Sequence, residues 1–284
     1  MIALSAYRQP DMLNEALEIL SSGDFAPIAG GTDLIPQLRC GQQRKLLDIS
    51  RLGLSFIKKD DNFIEIGAAC THSRLSSDDL IKEKLPLLFR ATGLVGSWQI
   101  RNRGTVGGNI INASPCADSV PALLNYDAEL VLLSQKGRRA VKLNEFTLGP
   151  YKTQIKPDEL LYSIRCKKQS TPSGCSYLKL GRRQAVNISR MTLAATIAKD
   201  KNDVITNATI AGGSIFPAPS RMPEIEKMLN HQKASHELFE EAANLAADLM
   251  INESGVRWST PYKKPVLIGL VQRALCEASG INAS

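Results

Sequence analysis

Apolar residues in the first part of the chain follow two spacings, which predict short helices alternating with short strands. Residues 12–20 carry methionine, leucine and alanine at helical spacing after Pro10. Residues 25–29 form a short apolar run that ends at the pair Gly30-Gly31. Further strands are predicted over residues 45–50, 62–70, 128–133 and 159–166, and further helices over residues 33–38, 85–92 and 119–124.

The composition changes at residues 167–174, where Ser, Thr, Pro and Gly cluster in KKQSTPSG. We therefore predict two domains, residues 1–170 and residues 171–284. Within the second domain, strands come first and amphipathic helices last, which indicates an α+β domain with a three-stranded sheet backed by a helical pair. The predicted strands cover residues 175–180, 189–198 and 204–212, and the predicted helices cover residues 238–249 and 266–275.

The composition is that of a globular protein that buries its own core. Of the 284 residues, 43% are hydrophobic and 22% are charged. Lys and Arg exceed Asp and Glu by 35 − 28 = 7, a balance that favours a phosphate-bearing small molecule or an acidic partner protein. Nucleic acid is disfavoured, because a nucleic-acid face interleaves basic and aromatic side chains and the chain is 5% aromatic.

The cysteines and the hydropathy indicate where the protein works. The six cysteines include no C-x-x-C pair, and their spacing fits neither zinc nor iron–sulfur ligation. No apolar run approaches the length of a membrane span, and no secretory signal follows Met1. We therefore expect reduced thiols, a cytoplasmic location, no membrane insertion and no metal held by this chain.

Two glycine-containing stretches carry the candidate chemistry. In the first, PIAGGTDLI, the pair Gly30-Gly31 makes a turn, Thr32 offers a hydroxyl, and Asp33 opens a helix. Glycine lets backbone N–H groups approach an anion, and several such groups in one concavity bind phosphate. The alternative interpretation is an ordinary turn between a strand and a helix.

The second stretch, GTVGGNIINASPCAD, predicts another turn, with Thr105 and Asn109 as side-chain donors. Neither stretch matches the Rossmann fingerprint or the P-loop lysine motif. One dinucleotide diphosphate, held between backbone amides of two bends, would explain both glycine pairs together. Asp118 would then accept hydrogen bonds from sugar hydroxyls of the ligand, or else cap the helix that begins at Ser119.

Four motifs in order resemble the FAD-binding subunit of the molybdenum hydroxylases, the family of xanthine, carbon monoxide and nicotinate dehydrogenases. The motifs are PIAGGTDLIPQL, IEIGAAC, GSWQIRNRGTVGGNIINASPCADSVPALL and YLKLGRR. The resemblance extends over nearly the whole chain. It implies an N-terminal FAD domain of the vanillyl-alcohol-oxidase type, made of two α/β subdomains, and a smaller α+β C-terminal domain.

The resemblance also implies cofactors, partners and site residues. FAD would be bound here, while molybdopterin and [2Fe–2S] clusters would lie on partner subunits and NAD⁺ would be a candidate electron acceptor. No catalytic side chain is implied, because the chain holds and tunes a flavin. The expected FAD contacts are Pro27, Ile28, Ala29, Gly30, Gly31, Thr32, Asp33, Leu34, Thr105, Gly107, Gly108, Asn109, Asp118, Leu161 and Lys179.

The sequence departs from the wider family at two positions. Covalent flavoproteins of the superfamily often carry a histidine in the first loop, where this chain has Thr32, so we expect non-covalent FAD. Some eukaryotic members place an aromatic residue over the flavin at the position of Val95, and Trp98 is a candidate to replace it, or else a core residue. Among the histidines, His72 follows a strand end; it either approaches the site or, as the favoured interpretation, lies at the surface.

Two other functions remain open from the residues alone. The chain could be a self-sufficient flavin oxidase or dehydrogenase with its own small substrate, although it shows no acid–base pair for that chemistry. It could also be a nucleotide-binding module without catalysis. Bound flavin separates the last possibility from the others, and co-purification with iron–sulfur-containing subunits separates the first two.

Overall fold

The computed structural model describes residues 4–40, 44–168, 174–183 and 186–282. Its elements up to residue 112 are, in chain order, β1 (Leu4–Arg8), α1 (Leu13–Leu20), β2 (Phe25–Ile28), α2 (Leu34–Arg39), β3 (Arg44–Asp48), β4 (Ile57–Lys59), β5 (Phe63–Gly67), α3 (His72–Leu75), α4 (Asp79–Lys84), α5 (Pro86–Gly93), α6 (Trp98–Arg103) and α7 (Val106–Asn112).

The later elements are α8 (Ser119–Asn125), β6 (Glu129–Ser134), β7 (Gly137–Lys142), α9 (Leu143–Phe146), β8 (Thr147–Gly149), β9 (Lys152–Thr153), β10 (Leu160–Lys167), β11 (Gly174–Leu180), β12 (Met191–Lys199), β13 (Ile205–Gly213), β14 (Ser220–Arg221), α10 (Pro223–Leu229), α11 (His236–Ser254) and α12 (Thr260–Ser279). The predicted domain boundary between residues 170 and 171 lies outside the described residues. None of the described helices is long and apolar enough to cross a membrane.

The first sheet is small and parallel, with strand order β1-β3-β2. Helix α1 connects β1 to β2, and it buries Ala16, Leu17 and Leu20 on one face. These side chains pack with Leu47 of β3 in one hydrophobic cluster. The carboxyl end of β2 leads directly into Gly30 and Gly31, so this sheet positions the first glycine stretch.

The second sheet is antiparallel, with strand order β4-β5-β10-β6-β7. Helices α3 to α8 lie between β5 and β6 in the chain, and apolar residues of all of them except α6 cover the sheet in a second, larger cluster. With the first sheet, it forms the two-subdomain arrangement that the resemblance implied. The second glycine stretch follows α6, so the helical layer on this sheet positions it.

The third sheet belongs to the C-terminal domain, and its strand order is β11-β12-β13-β14. The three predicted strands and two predicted helices are present, but the prediction of three strands was wrong because Ser220–Arg221 adds a fourth. Two residues are too few to show the alternation that marks a strand in a sequence. Helices α10, α11 and α12 pack on this sheet in a separate cluster.

The two domains share part of their hydrophobic core. Tyr177, Ala194 and Ala211 of the third sheet belong to the same cluster as the residues of the second. The buried side chain of Asn125, in α8, donates to the backbone oxygen of Ala194 at 3.1 Å and accepts from the hydroxyl of Thr209 at 2.6 Å. Satisfied buried polar groups of this kind rigidify an interface.

Candidate cofactor site

The two glycine stretches lie against each other, although about seventy positions separate them in the chain. A Cβ at Gly30 would lie 1.8 Å from the carbonyl oxygen of Arg103 and 3.0 Å from the nitrogen of Gly104. The side-chain amide of Asn112 donates to the carboxylate of Asp33 at 3.2 Å. Glycine at position 30 is therefore required for the contact, because any side chain would separate the two stretches.

The first stretch offers a run of free backbone donors. The chain leaves β2 at Ile28, turns with Gly31 at φ +69°, and enters α2 at Leu34. Among the described residues, no protein oxygen accepts a hydrogen bond from the backbone N–H of residues 30–34. Consecutive unpaired N–H groups in a turn form a concavity that binds anions. The free N–H groups of residues 30–34 are therefore consistent with the predicted phosphate contact of the first stretch.

The second stretch differs from the predicted turn, because it is the beginning of helix α7. Its first backbone N–H groups already have partners: Val106 donates to Cys70 at 2.9 Å, Gly107 donates to Ala68 at 2.9 Å, and Gly108 donates to the hydroxyl oxygen of Thr105 at 3.1 Å. The N–H groups of Val106, Gly107 and Gly108 are therefore already engaged, and the convergence of backbone amides from both bends on one diphosphate stays a prediction. The stretch was read as a turn because its two glycines are poor helix formers.

The second stretch instead contributes a close backbone contact at Gly107 and a side-chain donor at Asn109. A Cβ at Gly107 would lie 2.6 Å from the backbone oxygen of Ala68, so glycine here lets α7 pack on the end of β5. The hydroxyl of Ser119 donates to the Oδ1 atom of Asn109 at 2.7 Å, which orients that side chain and leaves its Nδ2 amino group as a donor.

A cavity of about 1180 Å³ lies between the two stretches. It is larger than most small-molecule sites, which measure about 300–1,000 Å³. All but two of the predicted site residues line it: Pro27, Ile28, Ala29, Gly30, Gly31, Thr32, Asp33, Leu34, Thr105, Gly107, Gly108, Asn109 and Leu161. The volume suits a dinucleotide-sized ligand.

The other two predicted residues, Asp118 and Lys179, do not line the cavity but pair with each other across the domain interface. The Lys179 ammonium lies 2.7 Å from the Asp118 carboxylate and donates to the backbone oxygen of Leu94 at 2.8 Å. The hydroxyl of Ser189 donates to the other Asp118 oxygen. Both side chains of the pair are 7% exposed. They join the domains here, and their contact with a flavin stays a prediction.

Burial raises the pKa of the Asp118 carboxyl above its usual value, since the loss of hydration outweighs the opposing effects of Lys179 and Ser189. Asp118 is also the residue that precedes helix α8, but its side chain makes no capping hydrogen bond. The alternative interpretation of Asp118 as a helix cap is therefore wrong.

Several cavity-lining residues were not predicted, and His72 is the clearest. The favoured interpretation placed it at the surface, but it is 2% exposed and lines the cavity, as the alternative interpretation had it. Burial and the nearby guanidinium of Arg101 lower the pKa of His72 to about 4. The signal in the sequence was the preceding Thr71, whose hydroxyl caps α3 by accepting from Arg74 and fixes the start of that helix.

The aromatic residues near the cavity differ from expectation as well. Val95 lines the cavity, whereas Trp98 is 66% exposed, so Trp98 is not a core residue. Tyr151 lines the cavity with its backbone at φ +58°. That conformation is uncommon for a bulky residue, and it is held here by a hydrogen bond from the Tyr151 N–H to the backbone oxygen of Ala113 at 2.9 Å. The sequence gives no local signal for it.

The geometry fits the diphosphate of a dinucleotide. Diphosphate oxygens only accept hydrogen bonds, and the first stretch presents unpaired donors in the wall of a cavity of the right size. A buried nitrogen of His72, Nδ1, also has no hydrogen-bond partner among the described residues. Fold and site together define an α+β protein with a dinucleotide-sized cavity and neither a Rossmann nor a P-loop motif.

Comparison with known proteins identifies the family. Residues 3–166 match the family model described as the FAD binding domain in molybdopterin dehydrogenase. Residues 176–278 match the CO dehydrogenase flavoprotein C-terminal domain. The chain belongs to the family of FAD-binding medium subunits of molybdopterin dehydrogenases, which confirms the resemblance seen in the sequence.

Similar proteins include subunits from archaea and bacteria. The glyceraldehyde dehydrogenase medium chain of Sulfolobus acidocaldarius is 33% identical, with 96% of this chain and 98% of the relative covered. The nicotinate dehydrogenase FAD-subunit of Eubacterium barkeri is 30% identical, with 93% and 92% covered. Among solved structures, a chain of carbon monoxide dehydrogenase from Hydrogenophaga pseudoflava superposes with a TM-score of 0.91 at 28% identity and full coverage of both chains.

Proposed function

We propose that this chain binds FAD in the cavity and acts as the electron-transfer flavoprotein subunit of a cytoplasmic molybdenum hydroxylase. Partner subunits hold the molybdopterin and the [2Fe–2S] clusters, and the terminal acceptor is NAD⁺ or another acceptor such as ferredoxin or quinone. The observation that carries the proposal is the run of unpaired N–H groups at residues 30–34 in the cavity wall of a chain with this family membership.

Different residues of the cavity make different contacts with the cofactor. The backbone N–H groups of residues 30–34 offset the negative charge of the diphosphate, and Gly30 and Gly107 let the surrounding backbone approach closely. The Nδ2 amino group of Asn109 adds a side-chain donor. Leu161, which is 4% exposed, gives the wall an apolar surface that excludes water. Thr32 offers no nucleophilic imidazole, so binding is non-covalent.

When bound, FAD supplies the ability to accept electrons from one-electron centres and to release them as a pair. The protein contributes binding, orientation and electrostatics to this chemistry, and no side chain of this chain has to move a proton as general base. The partner that holds the molybdopterin therefore sets the organic substrate of the complex. The relatives named above differ in substrate in agreement with this division.

Reduction by NADH tests the proposed acceptor. We expect the chain, co-expressed with its partner subunits, to purify as a yellow complex that contains flavin and iron. If NAD⁺ is the acceptor, anaerobic addition of NADH lowers the flavin absorbance near 450 nm. Bleaching by the substrate of the complex but not by NADH would point to a different acceptor. A purified chain that lacks flavin altogether, or that alone oxidises a small alcohol or amine, would contradict the proposal.

A further inference from the structure

The His72 imidazole lies beside the free donors of residues 30–34. The backbone N–H of His72 donates to the oxygen of Gly104 at 3.0 Å. A Cβ at Gly104 would lie 3.3 Å from the His72 Cδ2 atom and 3.5 Å from the hydroxyl oxygen of Thr32. The same residue, Gly104, lies next to Gly30, because its nitrogen would be 3.0 Å from a Cβ there. The imidazole, the Thr32 hydroxyl and the first glycine pair therefore surround one point of the cavity wall.

The imidazole has unused hydrogen-bonding capacity. Its Nδ1 atom is buried and has no hydrogen-bond partner in the described part of the chain. A buried polar atom without a partner costs free energy, so native proteins keep few of them. Those that remain in a cavity wall are candidates for bonds to a ligand. The ring forms part of this wall, although its Nδ1 atom is itself buried away from the cavity surface. A half-turn about the Cβ–Cγ bond exchanges Nδ1 with Cδ2, the atom that faces Gly104.

The charge state of the ring suits an anionic ligand. With its pKa lowered to about 4, His72 is a neutral imidazole near pH 7, with one N–H donor and one acceptor nitrogen. The Nη1 atom of the nearby Arg101 guanidinium donates to the backbone oxygens of Val95 and Gly96. A neutral donor adds a hydrogen bond to a phosphate without burying another positive charge next to Arg101.

We propose that His72 is a further binding residue of the site and that its imidazole donates a hydrogen bond to the diphosphate of the bound FAD. The inference rests on the proposed placement of FAD in the cavity. It assigns the diphosphate rather than the flavin ring as the partner, because the neighbours of the imidazole are Gly104, Thr32 and Gly30. His72 thus adds a side-chain donor to the backbone donors of residues 30–34.

Ligand binding to two variants tests the inference without enzyme activity. The full chain is purified with FAD as wild type, His72→Leu and His72→Gln, and FAD release on dilution is followed by flavin fluorescence. His72→Leu is expected to weaken FAD binding about 10- to 100-fold, the range for a hydrogen bond to a charged group. His72→Gln, which retains an N–H donor, should recover most of this affinity.

Two probes locate the lost bond. ADP carries the diphosphate without the flavin, and riboflavin carries the flavin without phosphate. His72→Leu should weaken the binding of ADP by the same factor as the binding of FAD, while the binding of riboflavin stays as in the wild type. Binding of ADP is measured as its displacement of FAD. As a control, His236→Leu removes an imidazole at the start of α11, outside the cavity, and should change no affinity.

The outcomes separate this inference from the placement of FAD. A wild-type chain that binds no FAD contradicts the placement itself. Wild-type affinity for FAD in His72→Leu, with normal binding by the wild type, overturns the role of His72 alone. An equal loss of riboflavin and ADP affinity also overturns it, because it would show a general collapse of the cavity rather than the loss of a phosphate contact.

Discussion

Gly30→Ala is expected to abolish stable FAD binding, with an affinity loss of more than about 100-fold, equivalent to about 2.7 kcal/mol or more. The added methyl group would lie 1.8 Å from the carbonyl oxygen of Arg103, far inside van der Waals contact. The oxygen belongs to the backbone and the methyl group is fixed to Cα, so no side-chain rotation relieves the overlap. The two glycine stretches must separate, and the N–H groups of residues 30–34 then lose their place in the cavity wall.

The flavin-to-protein ratio after gel filtration and a fluorescence titration with FAD measure this effect. Gly93→Ala is the matched control in the same domain. A Cβ at Gly93 would meet the Cβ of Ser76 at 3.7 Å, an ordinary contact, and Gly93 does not line the cavity. That variant should bind FAD like the wild type. A Gly30→Ala chain with wild-type affinity would contradict the close approach that the structure shows.

Lys179→Met is expected to destabilise the protein by about 3–5 kcal/mol, the usual result of removing one partner from a buried ion pair. The substitution leaves the Asp118 carboxylate buried, with the Ser189 hydroxyl as its remaining described side-chain partner. It also removes the hydrogen bond from Lys179 to the Leu94 oxygen, which joins the C-terminal domain to the end of α5. Urea unfolding of the FAD-loaded chain measures the change.

A second substitution should restore most of the lost stability. In Lys179→Met with Asp118→Asn, no charge is left buried without a partner. Replacing a buried ion pair by uncharged groups often changes the free energy of unfolding little. The raised pKa of Asp118 points the same way, because it shows that burial penalises the ionised carboxyl. Recovery in the double variant would identify the buried charge, rather than lost packing, as the cause.

The ion pair of Lys199 with Asp203 provides the control. It joins the same residue types, but the Asp203 side chain is 63% exposed and the Lys199 side chain is 24% exposed. Lys199→Met should cost less than about 1 kcal/mol, as is usual for pairs in contact with solvent. An equal cost for Lys179→Met and Lys199→Met would show that the pair between the domains does not stabilise them.

The sequence was sufficient for the parts of the fold that depend on local periodicity. Each predicted strand and helix is present, because apolar spacing and glycine breaks act on neighbouring residues. The first glycine stretch was placed correctly in the cavity wall for the same reason. Short elements such as α3 and β14 were missed, since four and two residues cannot display a period.

The parts that the sequence could not supply depend on contacts between distant residues. Asp118 and Lys179 are 61 positions apart, and the structure shows that they satisfy each other rather than line the cavity. The N–H groups of Val106 and Gly107 at the start of α7 donate to the oxygens of Cys70 and Ala68. The prediction of a turn at GTVGGN did not include these bonds. The burial of His72 could not be predicted locally, because its neighbour Gly104 lies about thirty positions later in the chain.

A crystal structure of the FAD-loaded chain tests the central claim most directly. The account predicts diphosphate oxygens at hydrogen-bond distance, about 2.7–3.2 Å, from backbone nitrogens of residues 30–34. It also predicts no phosphate contact with the backbone nitrogens of Val106 and Gly107, whose N–H groups already have partners. A diphosphate bound by those nitrogens instead, or placed away from residues 30–34, would contradict it.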